Sequence, residues 1–537
     1  MLVTDPIASN RLAERRDFIN LPILLLICLA IGVYLIVTTV VISNDGVFYI
    51  ERARAFSSDP VFIKAHPPGY PFLIFAAHKF VTLFNNSSSV YGWIYSAQGV
   101  TLLCRVLSLV PLYFIGKLLV GSRKSFWAVL ILVVLPYPAR FGSDIMRDWP
   151  HILFLAIGYL LLLLGGQRGK WGFFFGAGML SGAGYLIRVE SVQLIIYGLA
   201  WLTAGVFCTK RNMSRPKLVL ATLVLVGGFA LTGGWCMWIR GTAMTPKLDK
   251  FIKSFVMDTS KAHNQIHLCQ NTHRRLMRAE FVPEDFVQGS FGYGLVKIAK
   301  RISENLMYCF TLPLIIGLYL HIRSRRFMEM SQFLMVVFIL LNMAVLLILH
   351  RCYGYISRRH VLPLVVFTIF VVPDGLRVCA VWLDNIFSKR LGKVSGDDNG
   401  RFWFYVLLVA GITICIPKLL SPLRKDKKVY KEVSTWLQKN TTERDVIMVQ
   451  DRRISFYAER KSVLEHRRKI VPKKATYIVH LFSDDKAQLL PLWPDTVAVK
   501  KYSTNYVKRN KQVPLAIYKI TSRGVDMKTE ENSLSAP

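Results

Sequence analysis

The sequence predicts an all-α polytopic membrane domain of about eleven transmembrane helices, with external interfacial helices and a small C-terminal α/β soluble domain. Three observations predict it. Of 537 residues, 53% are hydrophobic, and the mean hydropathy is +0.37. The apolar residues gather into runs near the roughly 20 residues that cross a bilayer: Leu21–Ile42, Trp149–Gly165, Val192–Phe207, Leu218–Trp238, Gln332–Leu349, Val361–Val372 and Phe402–Pro417. Beyond residue 417 such runs stop and short strand-like segments begin.

Arg11, Arg15 and Arg16 precede the first run, which places residues 1–20 in the cytoplasm. That run exceeds a signal h-region of roughly 7–15 residues and no small-residue cleavage site follows it, so it reads as a retained helix. It leaves the membrane near Ser43. Residues 44–90 form a first external loop, in which Gly46–Phe56 and Pro68–Phe84 are mixed enough to lie along the interface as amphipathic helices. Helix two, Gly92–Leu119, ends inside at Lys117, Arg123 and Lys124. Helix three, Phe126–Tyr137, is short and exits before Arg140–Asp148. Helix four returns to Arg168 and Lys170. Helix five, Gly172–Ile187, is glycine-rich and predicts close packing on a neighbour; it surfaces at Arg188-Val189-Glu190. Helix six returns to Lys210, Arg211, Arg215 and Lys217, and helix seven goes out to Arg240.

A long external loop, 241–301, follows. Helix eight (Leu306–His321) runs in to Arg323, Arg325 and Arg326, and helix nine runs out to Arg351. Helix ten returns to a polar stretch, Asp384–Arg401, and helix eleven exits near Pro417. The membrane domain is thus 21–417. Every short loop placed inside is rich in Lys and Arg, as the positive-inside rule requires. The outer loops 140–148 and 351–360 are basic as well, which strains that rule: either helix three is miscounted or these arginines are retained for a task, and the second reading is preferred.

Residues 418–523 read as the external α/β domain. Val429–Gln438 is an amphipathic helix, and Val446–Val449, Tyr477–Leu481, Val497–Lys500 and Leu515–Ile520 are short strands. The tail, 524–537, reads as disordered.

The formal net charge is +35. In a soluble chain that excess would point to nucleic acid. Here much of it faces a periplasm or lumen, so nucleic acid is not an expected partner and an anionic lipid surface is. The nine cysteines are scattered singly, without CxxC, which predicts neither a disulfide framework nor a cysteine metal site. His267, Cys269 and His273 lack the spacing of a metal motif. The sequons at Asn86 and Asn440 matter only in a secretory pathway.

Several motifs cluster at predicted outer helix ends. Asp45 follows the first helix in Asn44-Asp45-Gly46, which is also good turn chemistry. His66-Pro67-Pro68-Gly69-Tyr70-Pro71 comes next. Then come Ser143-Asp144 before helix four, Leu186-Ile187-Arg188-Val189-Glu190 after helix five, and Arg358-Arg359-His360-Val361-Leu362-Pro363 opening helix ten. In this order they resemble the GT-C superfamily of integral-membrane glycosyltransferases, nearest to the branch of protein O-mannosyltransferases and the lipid A aminoarabinose transferase. The resemblance covers roughly residues 20–380.

The resemblance implies transfer of one sugar from a polyprenyl-phosphate carrier to an acceptor hydroxyl on the outer face, with inversion. Such chemistry needs a carboxylate to take the acceptor proton, cations to neutralise the phosphate leaving group and a groove for the lipid. It implies Asp45 as base, with Asp144 as a second acid and His66 orienting a substrate on a proline-stiffened loop. Arg188, Arg358, Arg359 and Lys64 would hold donor phosphate. The family's second acid beside the base is missing here, where Asn44 and Gly46 flank Asp45. That argues against a two-carboxylate metal site at this spot, though a divalent cation stays open as a cofactor. The acceptor is a lipid, glycan or protein, and the setting a bacterial inner membrane.

Each residue also has a plainer reading. Asp45 and His66 could be helix caps. If 140–148 is helical, Arg140, Asp144 and Asp148 share a face, and Asp148, with Pro150 in the first turn, caps helix four. Arg188 and Glu190 could only snorkel. Arg351, Arg358 and Arg359 with Tyr353 and Tyr355 could anchor the interface. A polytopic transporter or lipid flippase is the alternative of another class, but no internal repeat accompanies the motifs. A non-catalytic lipid-binding protein leaves Asp45 and HPPGYP unexplained.

Overall fold

The computed structural model describes residues 17–58, 66–84, 89–207, 214–240, 291–324, 330–391, 400–464, 475–481, 496–502, 507–508, 511–512 and 515–520. The chain divides into two compact units. The first comprises 1–37, 49–86 and 95–421, and the second 38–48, 87–94 and 422–537.

The first unit is helical. All eleven predicted spans contain a helix, and seven apolar helical segments are long enough to cross a membrane: Asp17–Val37, Val90–Val120, Asp148–Arg168, Arg215–Ile239, Gln332–Arg351, Leu362–Phe387 and the apolar part of Arg401–Asn440. The protein is an integral membrane protein. Ser122–Val134, Trp171–Tyr185, Gln193–Phe207 and Thr311–Arg323 are shorter. Both interfacial segments are helices, Asn44–Arg54 and Gly69–Thr82. A third amphipathic helix, Phe291–Asn305, occupies the end of the predicted long loop.

Close approach explains the glycines of Trp171–Tyr185. A Cβ on Gly178 would lie 2.1 Å from the Leu225 carbonyl oxygen, and one on Gly182 2.7 Å from the Gly233 nitrogen. The Trp171–Tyr185 helix packs backbone to backbone against Arg215–Phe229 and the π-turn Ala230–Gly234. Small residues that let helices touch are how membrane interfaces gain dispersion contacts without a hydrophobic drive.

Two predicted boundaries move. The first helix ends at Val37, not Ile42. The tenth, expected to give way to a polar stretch at Asp384, runs after a 3₁₀ turn, Ile369–Val371, on to Leu391. Pro373 falls in the first turn of Val372–Leu391, where its missing N–H costs nothing. Gly375 is there because a Cβ would strike the Pro313 carbonyl oxygen at 1.8 Å.

In the second unit, strands β1 (Val446–Val449), β2 (Lys461–Leu464), β3 (Tyr477–Leu481), β4 (Thr496–Tyr502) and β7 (Leu515–Ile520) form one sheet in the order β2-β1-β3-β7-β4. The β1 strand is parallel to β2 and β3, while β7 is antiparallel to β3 and β4. A two-stranded ribbon, β5 (Val507–Lys508) and β6 (Lys511–Gln512), stands apart. The helices Lys428–Asn440 and Arg452–Ala458 put Val429, Val433, Leu437, Ile454 and Ala458 against Ile447, Val449, Val479, Leu515 and Ile517. The short helix and β2 are additions to the elements predicted from sequence.

Candidate active site

In the first unit the site is built on the segment between Ser122–Val134 and Asp148–Arg168. It is not one helix: a short helix, Pro136–Phe141, leads into a turn at 142–147. Arg140, Asp144 and Asp148 therefore do not form a helical face. Buried side chains pin this turn. Arg105 Nη2 donates to the Val133 carbonyl at 2.9 Å, the Trp149 indole N–H to the Pro138 carbonyl at 2.9 Å, and Gln98 Nε2 to the Ser143 carbonyl at 3.1 Å. A cation at the carboxyl end of a helix also complements its dipole. Asp144 is 1% exposed and its Oδ1 accepts the Ile145 N–H at 2.9 Å.

Asp148 is the first residue of its helix rather than the cap; Arg147 holds that position. Its carboxylate turns to Arg188, whose Nη1 donates to Oδ1 at 2.6 Å, and Arg188 Nε lies 3.2 Å from Glu190 Oε2. The Arg188 side chain is 13% exposed, so it does not snorkel. Burial alone would ease its proton off, but Glu190 and Asp148 outweigh that and hold the guanidinium charged. His151 and Ser181 fix the turn: His151 Nδ1 is 2.8 Å from Ser191 Oγ, and Ser181 Oγ donates to the Ser191 carbonyl at 2.8 Å.

The 354–361 loop brings more charge to the same place. Burial, together with Arg188 and Arg359, pushes the His360 imidazole down to about 4, against the opposing pull of Asp148 and Glu190. Those five residues therefore share one electrostatic neighbourhood. Arg359 Nη1 also reaches Met146 Sδ at 3.3 Å. Arg358 diverges: its Nε donates to Glu304 Oε2 at 2.6 Å, and its guanidinium lies 4.4 Å from the Tyr137 ring centre. Glu304 also accepts from Arg301 Nη1 at 2.7 Å; burial would raise its carboxyl, but these two arginines hold it below its usual range. Lys418 bonds the Tyr137 hydroxyl, and Arg140 Nη2 donates to the Lys418 and Ser421 carbonyls, each at 2.7 Å.

The HPPGYP motif docks on the same turn. The Gly69 N–H donates to the Leu186 carbonyl at 2.7 Å, and a Cβ on Gly69 would sit 2.8 Å from that carbonyl group. Glycine is required because backbone meets backbone. Tyr70 is fully buried, with its hydroxyl 2.7 Å from Thr101 Oγ1 and its ring edge-on to Tyr49 at 4.9 Å. Burial first, then the charges of nearby groups including Asp144, push the Tyr70 hydroxyl well above its ordinary range. His66 is exposed. Lys64 lies outside the described residues, as do His267, Cys269 and His273.

Asp45 belongs to the second unit. It occupies the first turn of Asn44–Arg54 and is half-buried. Ser43, not Asp45, caps that helix: Ser43 Oγ accepts the Gly46 N–H at 3.0 Å. Asp45 is thereby relieved of the capping duty that sequence alone allowed it.

Of the candidates in the first unit, Arg188 and Arg359 come together, and Asp148, Glu190 and His360 join them. Sequence reasoning gave no role to Tyr70, His360, Glu304 or Tyr137. The first two lie inside motifs already singled out, whereas Glu304 and Tyr137 carry no sequence signal. Among the described residues, no group of three His, Cys, Asp or Glu side chains is placed to hold a metal ion.

A family model described as dolichyl-phosphate-mannose-protein mannosyltransferase matches residues 65–238. No curated protein gives a significant match. Among solved structures, ArnT from Cupriavidus metallidurans bound to undecaprenyl phosphate aligns over 94% of this chain and 98% of its own, with TM-score 0.55 and 13% identity. The oligosaccharyltransferase AglB from Archaeoglobus fulgidus, in complex with an inhibitory peptide and a dolichol-phosphate, aligns over 87% of this chain and 70% of its own, with TM-score 0.55 and 12% identity. The apo form of the Archaeoglobus oligosaccharyltransferase aligns with TM-score 0.54 at 11% identity. The chain has the fold of the GT-C membrane glycosyltransferases.

Proposed function

We propose that this protein is an inverting membrane glycosyltransferase that moves one sugar from a polyprenyl-phosphate carrier to an acceptor hydroxyl. The observation that carries the reading is convergence. HPPGYP, the turn before Asp148, the Leu186–Glu190 motif and the Arg359-His360 pair meet in one half-buried charged site within a GT-C fold. The family match and neighbours that bind polyprenyl phosphates support the lipid-linked donor.

In this reading Asp45 takes the proton of the acceptor hydroxyl, whose oxygen attacks the anomeric carbon from the face opposite the phosphate. The bond between that carbon and the phosphate oxygen breaks, and the electron pair leaves with the polyprenyl phosphate. Arg188 and Arg359, with Arg147 close by, offset the charge that develops there. The guanidinium fork of Arg188 has five N–H groups, more than its two carboxylates take. Arg358 shapes the loop through Glu304. Asp144 is the second acid, buried beside Tyr70, and His66, on the stiff loop, orients acceptor or donor. The N-terminus is cytoplasmic and the C-terminal domain external, in an inner membrane, with a lipid, glycan or protein as acceptor.

The test is release of labelled polyprenyl phosphate and sugar transfer from a panel of undecaprenyl- and dolichyl-phosphate monosaccharides, using purified protein and envelope extract. Turnover of one donor, with inverted anomeric configuration in the product, is expected. Turnover of none by folded protein that still binds polyprenyl phosphate contradicts the reading.

A further inference from the structure

The segment that carries Asp45 is held by the C-terminal domain, residue by residue. The Val40 N–H donates to the Leu423 carbonyl at 3.2 Å. Arg424 Nη1 donates to the Val41 carbonyl at 3.1 Å. The Ile42 N–H donates to the Tyr457 hydroxyl at 3.1 Å, and Arg453 Nη1 reaches the Ile42 carbonyl at 3.5 Å. Three consecutive residues thus give their backbone groups to Leu423, Arg424, Arg453 and Tyr457. Next comes Ser43, which caps the helix, and two residues later Asp45. Val41, Ile42 and Val47 are fully buried.

The clamp is itself braced. Arg453 is 4% exposed, pairs with Asp451 through Nε at 2.8 Å, and lies over the Tyr430 ring at 5.2 Å. Asp451 in turn caps the Arg452–Ala458 helix by accepting the Arg453 N–H. Tyr457 stands beside Tyr91, with ring centres 6.2 Å apart. Arg424 adopts the left-handed conformation, φ 55°. That conformation is costly for a side chain with a Cβ, and such strain persists only where the surroundings over-determine it.

We propose that Arg424 and Tyr457, with Arg453 behind them, are positioning residues that set the location of Asp45, so the C-terminal domain takes part in the reaction by holding the base. The proposal rests on Asp45 being that base. A general base works within a few tenths of an ångström of its proton, so loosening its mount lowers turnover more than it lowers substrate affinity.

Two measurements test it. In hydrogen–deuterium exchange, Tyr457→Phe, which removes only the hydroxyl that accepts the Ile42 N–H, should speed exchange across 40–46 at least tenfold. With the undecaprenyl- or dolichyl-phosphate sugar that wild type turns over, Tyr457→Phe and Arg424→Ala should each lower kcat tenfold or more. KM for that donor should stay within twofold, and Arg424→Lys should recover part of the loss. Unchanged exchange across 40–46 would overturn the clamp. Faster exchange with unchanged kcat, while Asp45→Asn is inactive, would overturn the positioning role. Full activity of Asp45→Asn would instead sink the assignment of the base, and the positioning role with it.

Discussion

At the scale of single residues, Arg188 is the centre of the charged site. It is half-buried between a buried Asp148 and a solvent-facing Glu190, and removing it leaves the buried Asp148 carboxylate uncompensated. Arg188→Ala should therefore destabilise the protein by about 3–5 kcal/mol, read as a lower unfolding midpoint in detergent. Arg188→Lys should recover little, because an ammonium cannot reach two carboxylates with a planar fork. A pH dependence follows from His360, whose imidazole is pushed down to about 4. An unfolded histidine takes its proton near roughly 6.5, and the folded one only near about 4. This contribution is complete above about pH 6.5 and is lost as pH falls toward 4. Glu304 adds to the loss on the acid side, since its ion pairs vanish as the carboxylate takes up a proton. His360→Asn should flatten the decline of the unfolding midpoint between pH 6.5 and pH 4; an unaltered decline would assign it to other groups.

At the scale of elements, glycine positions carry the tightest constraints. Gly69→Ala would drive a methyl into the Leu186 carbonyl, and Gly178→Ala into that of Leu225. Neither neighbour is a side chain that can rotate away, so each change should cost about 1–3 kcal/mol. Gly69→Ala should also reduce activity, because it moves the HPPGYP turn against the Arg188 motif, whereas Gly178→Ala should act on stability alone. Thermal unfolding and turnover measured side by side separate the two. The same scale shows what could be read in the chain. The glycine-rich fifth helix announced its close packing, and β1, β3 and β7 were legible as apolar runs bounded by polar residues. Thr38–Ile42 was read as the end of a helix because it is apolar. Its β-branched residues instead leave the helix through a turn and a bend, with backbone bonds to residues more than 380 positions away. Hydropathy carries no information about such partners. Lys461–Leu464 was missed because two polar residues open it and pairing with β1 makes it a strand. Glu304 was missed for the same reason, since its meaning comes from Arg301 and Arg358, and Arg358 lies 54 residues away.

At the scale of the whole molecule, membrane-crossing helices, interfacial helices and a C-terminal α/β domain form a GT-C fold, at 11–13% identity with the solved structures compared. At that distance the fold is shared, and the chemistry must be argued from the site. Asp45 stands on a helix capped by Ser43 and tied to the C-terminal domain. The charged cluster around Arg188 lies in the membrane unit with Asp144 and Tyr70. The role proposed for Asp45 is that of base in lipid-linked sugar transfer. The most direct measurement is single-turnover sugar transfer from a labelled polyprenyl-phosphate donor by wild type and Asp45→Asn, with folding and donor binding checked in parallel. Donor binding within twofold and a transfer rate lower by roughly 10²–10⁴, the usual contribution of a general base, are expected for Asp45→Asn. Equal transfer rates for the two proteins would contradict that role.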